Sequence, residues 1–440
     1  MMSEIVIFNV IFFAFIFSFV SFGDRKFSFL SPVFWYLIFH FIVFVYKPLL
    51  FHFFDFDRVY SYLGYYPSTS DEIGVIVVVN VGLISFLLGY YIINRYNQSR
   101  SLKEGVFLNG LNYQAFRKAV FYMSLFLLPP VLYSSYVGLS GFSYGDGSGR
   151  LMEMVDGVSI NVSGNGYISD LKKSLTTIVL LICIARRFDR LSFLIVGVYV
   201  LYRLYLGWGR IHLVALFIEL FAIYLIVNQR RWPNFKYVLA ILIFIPVFSF
   251  IGQNRDYFKS VFSDEVYENR FVNEDVEGFF EKQDTLDFAN YEYLVYIYSV
   301  VPDMSQTYSY GTQYLQLFTE PVPRVLWPGK PVGPPIKMVN LMDFGNFTGL
   351  TRSSIGDAWI NFGYLGVILN MILIGGVLSW MYNRVLLGNP KITAIFYVVM
   401  LPYLIQLFRD GGVVSIVKFL VFAFLPLIVV WLIYTRLERK

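Results

Sequence analysis

The chain has 440 residues, 57% hydrophobic and 20% aromatic, with 15% charged and a mean hydropathy of +0.59. That balance excludes an ordinary soluble domain and predicts an all-α polytopic membrane protein. The formal charge of +5 gives no reason to expect nucleic acid as a partner, and the single cysteine, Cys183, excludes a disulfide framework and a cysteine metal site.

The first apolar run, Ile5–Val20, lacks a basic leading region and a small-residue cleavage site, so it is expected to stay as a span. At about 20 apolar residues per crossing, about eleven transmembrane helices are predicted, near 5–22, 30–50, 73–93, 119–138, 174–185, 191–207, 211–228, 237–252, 357–383, 392–408 and 413–434. The fifth is short and is expected to begin earlier, with Lys172 and Lys173 snorkelling. Alternate loops carry 18 Lys and Arg against four acids, Asp24, Glu104, Asp189 and Glu438; the opposite loops hold 15 basic and 25 acidic residues. The excess of positive charge assigns the first set to the cytoplasm, with the N-terminus outside and the C-terminus inside.

Three outer segments are long. Lys47–Glu72 contains DFD at 55–57, which reads either as a chance pair of aspartates or as an acidic metal-binding pair. Gly138–Asp170 is rich in Gly and Ser and predicts a flexible surface loop, in which the NVS triplet at 161–163 reads as chance. Gln253–Gly356 forms a large extracytoplasmic loop: its acidic part, Asp264–Asp287, predicts a solvated helical face, and Tyr291–Phe318 predicts helices lying on the membrane. The domain division is therefore 1–252 (helices one to eight), 253–356 (the loop) and 357–440 (helices nine to eleven).

From the end of that loop into the ninth predicted span, Pro321–Trp359 gathers six prolines, five glycines and the arginines Arg324 and Arg352. Arg210, Arg255 and Arg409 fall at the outer ends of helices as well. Guanidinium groups match phosphate oxygens through paired hydrogen bonds, so the set, with Lys330, predicts a diphosphate-binding site; each arginine taken alone reads equally as a snorkelling residue. Asp256 and Asp410 directly follow Arg255 and Arg409 and read as counter-ions or bases; Asp303 and Glu320 lie in the loop. Asp357 has no adjacent cation in sequence and is the leading candidate for a general base. His40 and His52 border the second span, and His212 is the histidine close to the predicted site, either catalytic or an interface residue. Arg203 and Glu219, ionisable and inside the membrane, are expected to pair, and Lys418 to pair or snorkel. No metal site and no cofactor are predicted.

The segments VPRVLWPGKP and SSIGDAWINFGYLG, taken with GWGR, NRD and RDGG, resemble the O-antigen polymerases (Wzy), also called oligosaccharide repeat unit polymerases. The resemblance covers roughly Leu201–Leu420. It implies a GT-C-like membrane glycosyltransferase on the outer face of the bacterial inner membrane that joins undecaprenyl-diphosphate-linked oligosaccharides. It further implies that the arginines stabilise the departing diphosphate; joined to the reading of the residues, this makes Asp357, His212, Arg324 and Arg352 the expected catalytic residues, and the acidic outer loop is the expected contact for a chain-length regulator. Related O-antigen ligases imply a histidine in the large loop, and 253–356 contains none. A lipid-linked oligosaccharide flippase or a ligase-type glycosyltransferase stays open as the alternative.

Overall fold

A computed structural model describes residues 2–96, 111–140, 152–155, 158–161, 170–205, 210–237, 288–322, 326–327, 329–331, 333–345, 349–386 and 392–439. The predicted span at 237–252 and the acidic stretch Asp264–Asp287 lie outside these residues, apart from Tyr237.

The longer helices are α1 (Met2–Gly23), α2 (Pro32–Phe54), α3 (Arg58–Leu63), α4 (Thr69–Tyr96) and α5 (Tyr113–Ser140). They continue with α6 (Leu175–Ala185), α7 (Arg190–Tyr205), α8 (Arg210–Val227), α9 (Asn290–Ser299), α10 (Ser353–Met381), α11 (Thr393–Asp410) and α12 (Val413–Glu438). Among the described residues, seven helical segments are long and apolar enough to cross a membrane, and His212–Val227 is a shorter apolar helix. Helices that keep Phe8, Phe15, Phe19, Phe126, Phe193 and Leu369 turned outward need an apolar solvent around them, because each backbone already satisfies its own polar groups. The chain is thus a helical multi-pass membrane protein. The fifth predicted span does begin early, through a short turn at Leu171–Ser174.

Four expectations are corrected. Gly138–Asp170 is not all irregular: Met152–Val155 pairs antiparallel with Val158–Asn161, and Val155 lies opposite Val158. The Asp156-Gly157 step between them is a two-residue hairpin signal in the sequence. Second, α9 does not lie on the surface. Its residues Asn290–Ile297 are all buried, packed on α4 and α10, because Glu292 finds Lys47 at 3.6 Å. Third, Arg203 and Glu219 do not pair: Arg203 Nε donates to Tyr199 Oη at 3.0 Å, and both Glu219 carboxylate oxygens are buried without a hydrogen-bond partner.

The fourth correction concerns the predicted span 357–383. Helix α10 is folded back on itself at Phe362 (φ −151°, ψ 23°) and Gly363 (φ 56°, ψ −136°). Asn370 Nδ2 donates to Ser354 O at 3.4 Å, although these residues are 16 apart, a separation of about 24 Å along one straight helix. Gly366 packs so closely on the Ala358 carbonyl that a Cβ there would collide with it. A short arm (353–361) therefore runs antiparallel beside a long arm (364–381). Only glycine adopts the Gly363 backbone conformation without strain, and a missing side chain at Gly366 lets the arms touch.

The long arm and α4 form the centre of the bundle. Gly82 lies against Val367, Gly89 against Ile372 and Gly376, and Gly375 against Phe86 and Tyr90, a progression that makes the two helices parallel and close. Small residues at such a seam allow the van der Waals contact that drives helix association in lipid. Polar side chains add to it: Asn9 Nδ2 donates to Phe44 O at 2.9 Å and Asn80 Nδ2 to Asn9 Oδ1 at 2.8 Å. In α2, the wider π-helical turn Phe41–Tyr46 comes just before Pro48, whose ring could not fit a regular turn. At the far end of the long arm, Lys26 Nζ donates to Asn94 Oδ1 and Asn383 Oδ1, each at 2.9 Å.

Candidate functional site

The short arm carries the site. Its start is shaped by Ser353, held at φ 61°, whose Oγ accepts the Gly356 N–H at 3.1 Å and so caps the first turn. Ser354 Oγ donates to Leu407 O, which fastens this end to α11. Gly411, just past α11, passes so near the Ser353 carbonyl that no side chain fits there. Asn290 at the head of α9 joins the pieces: its Nδ2 donates to Thr351 O at 2.8 Å, Thr351 Oγ1 at 2.9 Å and Arg409 O at 2.8 Å. The backbones carrying Arg352 and Arg409 are thereby held on one side chain.

The other end of the short arm is closed by the segment 301–314. Trp359 Nε1 donates to Val301 O at 2.8 Å, Ser309 N to Ile360 O at 2.8 Å and Tyr310 N to Asn361 O at 3.2 Å. A nine-residue arm buried beside its neighbours would otherwise leave its last carbonyls without partners. Asn361 does most of the joining. Its Nδ2 donates to Asp357 O at 2.7 Å and Tyr314 Oη at 3.0 Å, while its Oδ1 accepts the Gly311 N–H at 2.9 Å.

Between these two ends sits Asp357, 3% exposed. Its Oδ1 accepts from Gln313 Nε2 at 2.9 Å and its Oδ2 from Tyr314 Oη at 2.9 Å. Arg352 Nη1 lies 3.9 Å from the same carboxylate and donates to Gln313 Oε1 at 2.8 Å. The carboxylate is buried, but its partners are half-buried and the Arg352 side chain is 40% exposed. Burial, with the Asp357 charge beside it, holds the Tyr314 hydroxyl well above its ordinary range, so Tyr314 stays a donor at neutral pH. The arrangement can hold an anion at Arg352 while presenting an oriented carboxylate one hydrogen bond away.

The remaining predicted residues separate into groups. Arg409 lies 3.5 Å from Asp410 through Nε, with its guanidinium 5.9 Å from the centre of the Phe288 ring; Asp410 is thus its counter-ion. Lys330 donates to Glu320 O at 2.9 Å and Val322 O at 3.2 Å, and its Nζ is 3.6 Å from Glu320 Oε2. It belongs to a chain of charges in which Lys418 lies 3.9 Å from Glu320 and 3.0 Å from the buried Asp170, itself 2.9 Å from Lys173. Lys418 therefore pairs. His212 is half-buried in α8, where the charges acting on it are Arg203, Lys173 and Lys172, and it makes no hydrogen bond to the Asp357 cluster. Arg255, Asp256 and Arg324 lie outside the described residues, as does the side chain of Arg210, which opens α8.

Gln313, Tyr314, Asn290 and Asn361 had no sequence signal of their own, being neutral. The available clue was Asn361-Phe-Gly363 inside an apolar run, a turn tripeptide where a continuous span should have none. Asp57 accepts from Tyr66 Oη at 3.2 Å, and no group of three or more His, Cys, Asp or Glu is arranged to hold a metal ion among the described residues.

The sequence model of the family O-antigen polysaccharide polymerase Wzy matches residues 1–440, the whole chain. No curated protein and no solved structure matches it. On the family match, the chain belongs to the O-antigen polysaccharide polymerase Wzy family.

Proposed function

We propose that this Wzy-family chain joins oligosaccharide repeat units carried on undecaprenyl diphosphate at the outer face of the bacterial inner membrane, through a GT-C-like mechanism. The growing glycan is the donor and the newly delivered unit is the acceptor. An acceptor hydroxyl attacks the anomeric carbon of the donor sugar, the bond from that carbon to the diphosphate oxygen breaks, and the hydroxyl proton passes to the Asp357 carboxylate. The lipid diphosphate leaves with the electron pair of the broken bond, its charge met by Arg352 and Arg409 at the start of the short arm. On their place in the sequence, Arg210, Arg255 and Arg324 are assigned to the same headgroup. Lys330, engaged with Glu320, holds the loop instead, and His212 has no role in the proton transfer.

The observation that carries this reading is the contact set of Asp357: a buried carboxylate oriented by Gln313 and Tyr314, with Arg352 joined to it through Gln313. Charge topology supports the outer face, since the positive loops lie opposite. The test uses purified protein in lipid nanodiscs with lipid-linked repeat units. Replacing Asp357 by Asn keeps the shape and one of the two accepted hydrogen bonds and is expected to lower kcat by about 10²–10⁴-fold, the ordinary contribution of a general base. Arg352→Ala should also abolish long chains while leaving the protein in the membrane. Full-length polymer from either variant would refute the assignment, and accumulation of unflipped precursor in a deletion strain would favour a transporter.

A further inference from the structure

Beside the Asp357 cluster is a patch of aromatic rings that the reaction above leaves unused. Tyr310 is 55% exposed and Phe362, at the turn of the hairpin, is 48% exposed. Their ring centres are 5.9 Å apart at 69°, and Tyr308 stands 6.2 Å from Tyr310 at 75°. Rings splayed at such angles meet edge to face and leave broad faces open.

An aromatic residue at a membrane surface has an ordinary use as an interfacial anchor. Tyr310 is built differently. Its backbone is held at φ 48°, a left-handed conformation that costs a bulky residue free energy. Asn361 imposes it from both sides, through its carbonyl to Tyr310 N and through its side chain to Gly311 N. Ser309, buried to 3% exposure, closes the same turn by accepting from Thr312 N and Thr312 Oγ1. Tyr308 Oη is fitted against Gly363, where a Cβ would come within 2.9 Å of it. An interfacial anchor gains nothing from a strained backbone pinned at two successive N–H groups. A surface that must present a ring face at a fixed place does, and Asn361 fixes this place relative to Asp357.

We propose that Tyr310 and Phe362, with Tyr308, form a stacking platform for a sugar ring of the lipid-linked oligosaccharide next to the reacting hydroxyl. The apolar C–H face of a pyranose covers the exposed ring faces, and its hydroxyls are left to the tyrosine hydroxyls and to the exposed Asp303 and Gln306. The inference rests on the polymerase reading above.

The experiment compares Tyr310→Leu, Phe362→Leu and Tyr310→Trp, each reconstituted in nanodiscs. With lipid-linked repeat unit as substrate, each Leu variant should raise KM about tenfold, equivalent to ~1.4 kcal/mol, with kcat within about twofold. Tyr310→Trp should keep the wild-type KM. Isothermal titration with the repeat-unit oligosaccharide freed from its lipid should show the same order of affinities. Leu variants that bind the freed oligosaccharide and turn over as the wild type does would overturn the platform. So would Leu variants that are lost from the membrane yet bind it normally once solubilised, since they would then be anchors only. Failure of the wild-type protein to make polymer would instead sink the polymerase reading, and the titration would still decide whether sugar binds here.

Discussion

Gly366→Val tests whether the folded-back arm is what makes the site. Gly366 faces the Ala358 carbonyl, one residue beyond Asp357, at a distance where any Cβ collides. A branched side chain there must push the arms apart, an overpacking cost of about 1–3 kcal/mol. The long arm is fixed by its seam with α4, so the short arm has to yield. Asp357 then moves relative to Gln313 and Tyr314, and a displacement on the order of 1 Å costs about 100-fold in rate. The assay is polymer formation in nanodiscs, with membrane content followed by immunoblot. Activity is expected to fall about 100-fold at unchanged protein level. A cysteine pair at Ser354 and Asn370, which side by side can reach disulfide geometry and in one straight helix cannot, reports the hairpin directly. The pair should cross-link in otherwise wild-type protein and lose that cross-link with Gly366→Val. Wild-type chain lengths from Gly366→Val, or no cross-link in its absence, would refute the reasoning.

Three further outcomes follow from the packing. Asn361→Leu removes the side-chain bonds to Asp357 O, Tyr314 and Gly311; leaving buried groups unsatisfied should cost about 1–3 kcal/mol each, seen as a lower melting temperature in detergent together with lost polymerisation. Asp170→Ala removes the buried carboxylate that Lys173 and Lys418 both face and is expected to destabilise by about 3 kcal/mol, as removing one partner of a buried pair does, while Glu320→Ala, at a half-exposed site, should cost about 1 kcal/mol or less; thermal unfolding of the two variants checks the order. Because Arg203 bonds to Tyr199 and not to Glu219, the coupling energy between Arg203→Gln and Glu219→Gln in thermal stability should fall short of the about 3 kcal/mol that residues in direct contact can reach. A larger coupling energy in the double-mutant cycle would contradict that separation.

The parts of this molecule that hydropathy describes were readable without coordinates, among them its helical, membrane-spanning character and the early start of the fifth apolar run. Asp357 had no cation next to it in sequence, yet Arg352, just before the short arm, comes within 3.9 Å of it. What stayed hidden depends on contacts between distant segments. A hydropathy window cannot tell a folded-back helix from a straight one, since its average spans both arms and only Phe362 and Gly363 break the helix between them. Helix α9 misled for another reason: its tyrosines and Glu292 look like a wet surface, but Lys47 and the tyrosine rings make that face buriable. Gln313, Tyr314 and Asn361 became meaningful only when the turn at 309–312 met the end of the short arm.

The hairpin also sets an order of assembly. A nine-residue arm is too short to be inserted by itself, and its start is secured by Leu407, Arg409 and Gly411, which are synthesised some fifty residues later. While the ribosome is still adding α11, the end of the arm held by 301–314 can close, but its start, beside Arg352, has nothing to close against. Truncated chains ending before Gly411 should then be integrated but catalytically empty. Reporter fusions placed within 353–362 would read the same side of the membrane at both ends of the short arm, because nine helical residues span only about 14 Å, too little to cross it.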